Sequence, residues 1–133
     1  MPEYDRRGVH PVELAQRLLT LHGMTSGRFV AGLGAGSTVA DYAAVGVDYD
    51  GRFRLYSRAL KTMVALFNGE RVGEADLKPW PNTLGGPPIL IGTWRSEHWI
   101  KRAALEFDGW VTSGGVGGNT FGIIKEGIKQ FRD

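Results

Sequence analysis

Three short strings carry residue types that can hold or orient a ligand. The first is Gly32-Leu33-Gly34-Ala35-Gly36-Ser37, which directly follows the apolar run Phe29-Val30-Ala31. A turn with so few side chains admits a flat ring close to the backbone, and Ser37 can donate a hydrogen bond. A dinucleotide fingerprint would need glycine or alanine where Ser37 stands, and an acidic ribose ligand about 20 residues on, at the end of a second strand. Residues 52–67 are helical in pattern, so that acid is missing. The other two strings are Gly92-Thr93 and Thr112-Ser113-Gly114-Gly115. Each brings small residues, hydroxyls and free backbone N–H groups to the end of an apolar run. Neighbouring strand-to-helix loops of this kind hold phosphate through N–H groups and the positive end of a helix. Glycine and serine also simply make turns, and one such loop alone would carry no chemistry. Two on consecutive strands point to one rim.

Other chemistry is excluded more simply. The chain has no cysteine, which removes disulfides, thiolate metal sites and thiol nucleophiles. His10, His22 and His98 show none of the paired spacings of a metal site, so no metal is expected. His22 suits a helix end and His98 a first helical turn. Trp94 stands beside the Gly92-Thr93 loop, and Trp80, Trp99 and Trp110 are assigned to packing. Arg52, Arg54 and Arg58 read as a solvated basic face. No Ser–His–Asp or paired-carboxylate arrangement exists, so no catalytic residue is assigned.

The elements that must position these strings follow from periodicity. In a chain of 133 residues, 42% are hydrophobic and 23% charged, which suits one soluble domain, 1–133. Val12, Ala15, Leu19 and His22 recur at helical spacing from Pro11, with Gly23 as a stop. Strands are expected near 28–33, 88–92 and 109–113, the second buried on both faces. A short helix is expected over Val39–Val45. A longer one is marked by Tyr56, Leu60, Met63, Val64 and Phe67 and closed by Asn68-Gly69. Ser96 caps a helix with Ile100, Ala103, Ala104 and Phe107 on one face. Phe121, Ile124, Ile128 and Phe131 mark the last helix, weakened by Gly122 and Gly127.

Helix and strand therefore alternate, which implies an α/β fold with parallel strands. Three parallel strands leave two open edges, so the chain is expected either to be a section of a larger α/β fold or to have its edges completed by another copy or a partner. The net charge of +2 makes no nucleic-acid footprint. No apolar run approaches the roughly 18 residues of a membrane span. The charged start MPEYDRRGVHP lacks the apolar stretch of a signal peptide, so a cytoplasmic location is expected.

Taken together and in order, these strings resemble the luciferase-like monooxygenase superfamily. The likeness runs through GRFVAGLGAGS at 27–37, Asp41-Tyr42, Gly46, Arg52 and the helix ending LFNGE. It continues in Pro87-Pro88-Ile89-Leu90-Ile91-Gly92, Arg102-Ala103-Ala104, Asp108-Gly109-Trp110 and the opening HPVELAQRLLTL. The resemblance implies a partial TIM (βα)8 barrel, here one helix plus three βα units. It implies an oxidoreductase that binds FMN or the deazaflavin coenzyme F-420 at the carboxyl ends of the strands, for hydride transfer or monooxygenation of a small organic substrate. Gly34, Gly36 and Ser37 would then lie near the cofactor's ring or chain. Gly92, Thr93, Thr112, Ser113, Gly114 and Gly115 would hold its phosphate. The Thr-Ser-Gly string is more similar to the deazaflavin branch, although Gly115 stands where that branch often has lysine and Asp41 where glutamate is common. Two readings from other classes stay open beside this one: a non-enzymatic half-barrel that assembles with copies or a partner, and a small Rossmann-like nucleotide-binding domain.

Overall fold

The first helix begins where a proline can begin one. Pro11 opens α1 (Pro11–Met24), where its missing N–H needs no partner, and the His10 ring nitrogen Nδ1 accepts the Val12 N–H at 3.1 Å. The computed structural model describes residues 10–112 and 120–133. After α1 come β1 (Ala31–Gly34), α2 (Val39–Val45), α3 (Arg52–Phe67), β2 (Ile89–Gly92), α4 (Glu97–Glu106), β3 (Gly109–Val111) and α5 (Thr120–Arg132). These divide into two compact units: residues up to 29 with 36–87, and residues 30–35 with 88–133. Among the described residues no helix is long and apolar enough to cross a membrane.

The first unit rests on α1 against α3. Pro11, Ala15, Leu18 and Leu19 are buried on α1, and Tyr56, Leu60, Met63, Leu66 and Phe67 on α3. Leu66, wholly buried, takes the inward position expected of Val64, which is half-buried. Gly23 does not stop α1. It stays helical beside Thr83, while the Thr25 hydroxyl donates to the Leu21 carbonyl at 2.8 Å and the chain turns at Ser26-Gly27. The segment after α3 folds back on its end, Gly85 donating to the Phe67 carbonyl at 2.7 Å. Trp80 departs from its packing assignment, being 75% exposed. Its carbonyl accepts both N–H and hydroxyl of Thr83 and the N–H of Leu84, so the backbone fixes this turn and the indole points outward.

The second unit holds the sheet, three parallel strands in the order β1-β2-β3. β1 starts at Ala31 rather than 28, because the Arg28 N–H is spent on the Thr25 carbonyl in the preceding turn. The ladder opens with the Ala31 N–H on the Pro88 carbonyl at 2.9 Å. β2 has Ile89 and Ile91 buried and Leu90 half-buried. β3 is pinned to β2 by the residue just before it: the Asp108 carboxylate accepts the Ile89 N–H at 2.8 Å, and the Asp108 N–H donates to the Ile89 carbonyl at 3.0 Å. β3 ends at Val111, short of the expected 113, and Ser113 lies outside the described residues.

On both helices of this unit the inward face agrees only in part with the one periodicity suggested. Ser96 caps α4 as expected, its hydroxyl oxygen accepting the Trp99 N–H at 3.4 Å. Ile100 and Ala103 are buried as expected and Trp99 joins them, while Phe107 is half-buried and Ala104 is exposed. On α5, Phe121 is 79% exposed and Ile128 is exposed too, while Gly127 is buried. A side chain at Gly127 would run into the Trp110 ring, so the glycine counted as a weakness makes room for that indole.

Two substitutions check these contacts. Asp108→Ala strands a part-buried Ile89 N–H, and thermal or urea unfolding should register a loss of about 1–3 kcal/mol, partly regained in Asp108→Asn. Gly127→Val overfills the Trp110 contact and should cost about 1–3 kcal/mol in the same assay. Gly32→Ala, where an added Cβ meets nothing within 4 Å, is the control that should stay close to the parent.

Candidate functional site: the carboxyl rim of the sheet

In the second unit, register decides what the strand ends present. Gly34 pairs with Gly92, and Gly92 with Val111, so the three strands finish level with one another. The Gly34–Gly92 pair leaves the ends of β1 and β2 without side chains. A Cβ on Gly92 would lie 3.3 Å from the Leu33 carbonyl oxygen, and one on Gly34 would lie 3.4 Å from the Gly92 oxygen. One step beyond this row, just past the ends of adjoining strands, stand Thr93 and Thr112, both half-buried. Parallel strands lie about 4.8 Å apart, so the two threonines share one edge.

The Thr93 backbone is not free for an anion, contrary to the expectation for that loop. Its N–H donates to the Val111 carbonyl at 3.2 Å, and its carbonyl accepts the Trp110 indole N–H at 2.8 Å. The group through which Thr93 can meet a ligand is therefore its hydroxyl. Trp110, assigned to packing, ties the end of β3 to the loop after β2. Ser113, Gly114 and Gly115, the remainder of the third string, lie outside the described residues.

Gly36 and Ser37 belong to the first unit, where they make a turn backed by aromatic rings. Gly36 has φ +83°, and a Cβ there would come 3.3 Å from Cε2 of Tyr42. The Tyr42 and Tyr49 rings meet edge to face with centroids 5.6 Å apart, and the Tyr49 hydroxyl donates to the Ser37 carbonyl at 3.3 Å. The Arg52 guanidinium sits 3.7 Å above the Tyr49 ring, and one of its terminal nitrogens donates to the Tyr49 carbonyl at 3.1 Å. Arg54 and Arg58 are exposed as a basic face would be, but Arg52 is not part of it. Its buried Nε has no hydrogen-bond partner among the described residues. Burial pushes the Tyr42 phenol above its ordinary value; the Arg52 charge opposes this and Tyr49 adds to it. Sequence reasoning missed Tyr49. The available signal was two tyrosines and an arginine flanking Gly46, whose left-handed φ of +71° turns the chain after α2.

Elsewhere in the first unit, a cleft of about 540 Å³ between α1 and Leu77–Thr83 is lined by Leu19, Met24 and Trp80, with Lys78 as its charged side chain. It holds none of the three strings. Among the described residues, no three His, Asp or Glu side chains converge where a metal could sit.

The described geometry has counterparts in known proteins. The family profile for luciferase-like monooxygenases matches residues 8–132. Two uncharacterised mycobacterial proteins, Mb0978c of Mycobacterium bovis and Rv0953c of Mycobacterium tuberculosis, are each 30% identical over 111 residues, which cover 77% of this chain. The matched region is 39% of those proteins. The crystal structure of the monooxygenase RslO1 from Streptomyces bottropensis superposes with a TM-score of 0.77 at 19% identity, over 93% of this chain and 40% of that one. The likeness is one of fold, and it identifies the α/β order with its parallel strands as a section of a larger barrel-like architecture. The chain thus spans about two-fifths of the length of the proteins it matches.

The Tyr42 environment has a consequence at high pH. Below the ordinary phenol value both folded and unfolded chains keep Tyr42 neutral, and its contribution is fully present. As pH rises past that value the unfolded chain ionises first, so stability falls until the raised folded value is passed. Tyrosinate absorbance during an alkaline titration should contain a step above the ordinary range that Tyr42→Phe removes; an unaltered curve in the variant would contradict the assignment.

Proposed function

This chain belongs to the luciferase-like monooxygenase family, and on that premise we propose that it is the cofactor-holding middle of a flavin-type oxidoreductase. The ligand would be FMN or the deazaflavin coenzyme F-420, with its phosphate at the carboxyl rim of β1, β2 and β3. The observation that carries this reading is the bare Gly34–Gly92 pair with Thr93 and Thr112 one residue beyond. Bare backbone lets a planar or phosphorylated group approach without a clash. The Thr93 hydroxyl, next to Thr112 in register, would supply a donor to its oxygens, at about 1.5–3 kcal/mol for a bond to a charged group.

The fit is chemical as well as steric. Ser113, Gly114 and Gly115 continue the rim in sequence, and the Thr112-Ser113-Gly114 string favours the deazaflavin branch by resemblance. Gly115 adds no cation, so the hydroxyls and backbone would carry the phosphate. By resemblance alone, Gly36 and Ser37 are assigned to the chain or ring of such a ligand. When bound, a flavin-type group supplies the redox chemistry. The residues of this chain would bind and orient that group and keep water from it; the substrate would be a small organic molecule.

A second reading, an assembly module without redox function, draws on the sheet edges. Among the described strands, β1 and β3 each pair on one side only. Open parallel edges call for further strands, from another copy or a partner. A discrete oligomer in sizing chromatography that takes up no cofactor would favour it.

Titration of the whole chain with FMN, coenzyme F-420 and riboflavin separates these readings. FMN or F-420 should bind, riboflavin should bind more weakly for lack of a phosphate, and Thr93→Val should raise Kd about tenfold. If a folded sample binds neither phosphorylated ligand at millimolar concentration, the cofactor reading fails.

A further inference from the structure

The Gly36–Ser37 turn has little of its own to hold it. Gly36, Ser37 and Thr38 are exposed, and Thr38 caps α2 without a side-chain hydrogen bond. α2 has seven residues and none of them is buried. A helix this short is marginal on its own and cannot order the turn that precedes it.

The placement of Arg52 is the second anomaly. It is the first residue of α3, which has no acidic residue in its first turn. A cation there faces the positive end of the helix dipole, the less favoured arrangement. Something else must hold it, and the contacts name it: the Tyr49 ring under the guanidinium at 3.7 Å, Phe53 at 4.4 Å, and the Tyr49 carbonyl at 3.1 Å. Cation–π contacts with a planar guanidinium contribute most when partly desolvated. Arg52 is half-buried and its Nε fully so.

We propose that Arg52 and Tyr49 form a positioning clamp for the Gly36–Ser37 turn. α3 is anchored one and two turns further on by buried Tyr56 and Leu60. From that anchor Arg52 holds the Tyr49 ring, and Tyr49 reaches back twelve residues to the Ser37 carbonyl through its hydroxyl. Its ring also stands edge-on to Tyr42, whose ring lies against Gly36. The Val47 N–H, donated to the Tyr42 carbonyl at 3.0 Å, closes the return of the chain between the two tyrosines. Neither residue touches a ligand in this scheme. They act through Ser37 and Gly36, and that part of the inference rests on the cofactor reading above.

Tyr49→Phe is the discriminating variant, because it keeps ring and cation stack and removes only the hydroxyl. The clamp predicts an unchanged melting temperature, with backbone order parameters at Gly36–Thr38 that fall from the rigid toward the flexible range. Arg52→Lys, which keeps charge but loses the planar stack, should lower the order parameters of the same amides. FMN or F-420 affinity should weaken in Tyr49→Phe by about three- to tenfold. Unchanged order parameters in both variants overturn the clamp, whatever the cofactor result. Lowered order parameters in a chain whose parent binds neither cofactor support the clamp and remove the cofactor reading. Lowered order parameters with unaltered affinity, where the parent does bind, overturn the claim that the turn serves the ligand.

Discussion

Two hydrogen bonds between Asp108 and Ile89 underlie most of what the second unit presents. The carboxylate accepts the N–H of the first residue of β2, and the Asp108 N–H donates to that residue's carbonyl. A side chain that mimics the next rung of a ladder leaves no freedom to slip, and a one-residue slip would send every strand side chain to the opposite face. At the other end Thr93 is bonded to Val111 and to the Trp110 indole. The β2–β3 pair is closed at both ends, and the strands finish together as a consequence. Gly127 completes the arrangement by letting α5 lie on the indole that holds the Thr93 carbonyl.

The first unit achieves order by other means. Its helices α1 and α3 are held by aliphatic and aromatic burial, the ordinary source of helix stability in a folded chain. The turn at Gly36–Ser37 gains nothing from that core directly. Its order comes from aromatic and cation contacts relayed from α3 through Arg52 and Tyr49. The two sets of candidate ligand-facing residues are therefore supported in chemically different ways, one by a ladder and one by stacked rings.

Much of this was legible in the residues. The order of elements, the parallel strands, the extent of the short helix Val39–Val45 and the Ser96 cap all follow from periodicity and capping chemistry. The family was legible because glycine strings, prolines and the Asp108-Gly109-Trp110 turn recur in a specific order. Errors cluster where a side chain's fate depends on something distant in sequence. Arg28 reads as strand but its N–H is used by the preceding turn. Phe121 and Ile128 read as core, yet Trp110 meets α5 at Gly127. Trp80 reads as packing, yet its own carbonyl commits the backbone and leaves the ring outside.

Local sequence by itself determined element type, element order and the family, because capping, turn chemistry and 3.6- or 2-residue periodicity act over a few neighbouring positions. Tertiary structure alone decided which backbone groups remain available at the strand ends. Thr93 looks free in the string Gly92-Thr93, and becomes bonded on both sides only when β3 arrives with Val111 and Trp110. It also decided that Arg52 leaves the basic face for Tyr49, since a guanidinium chooses between water and an aromatic ring by what the fold sets beside it. Register and contact between distant residues depend on how separate segments meet, and no window of sequence contains that information.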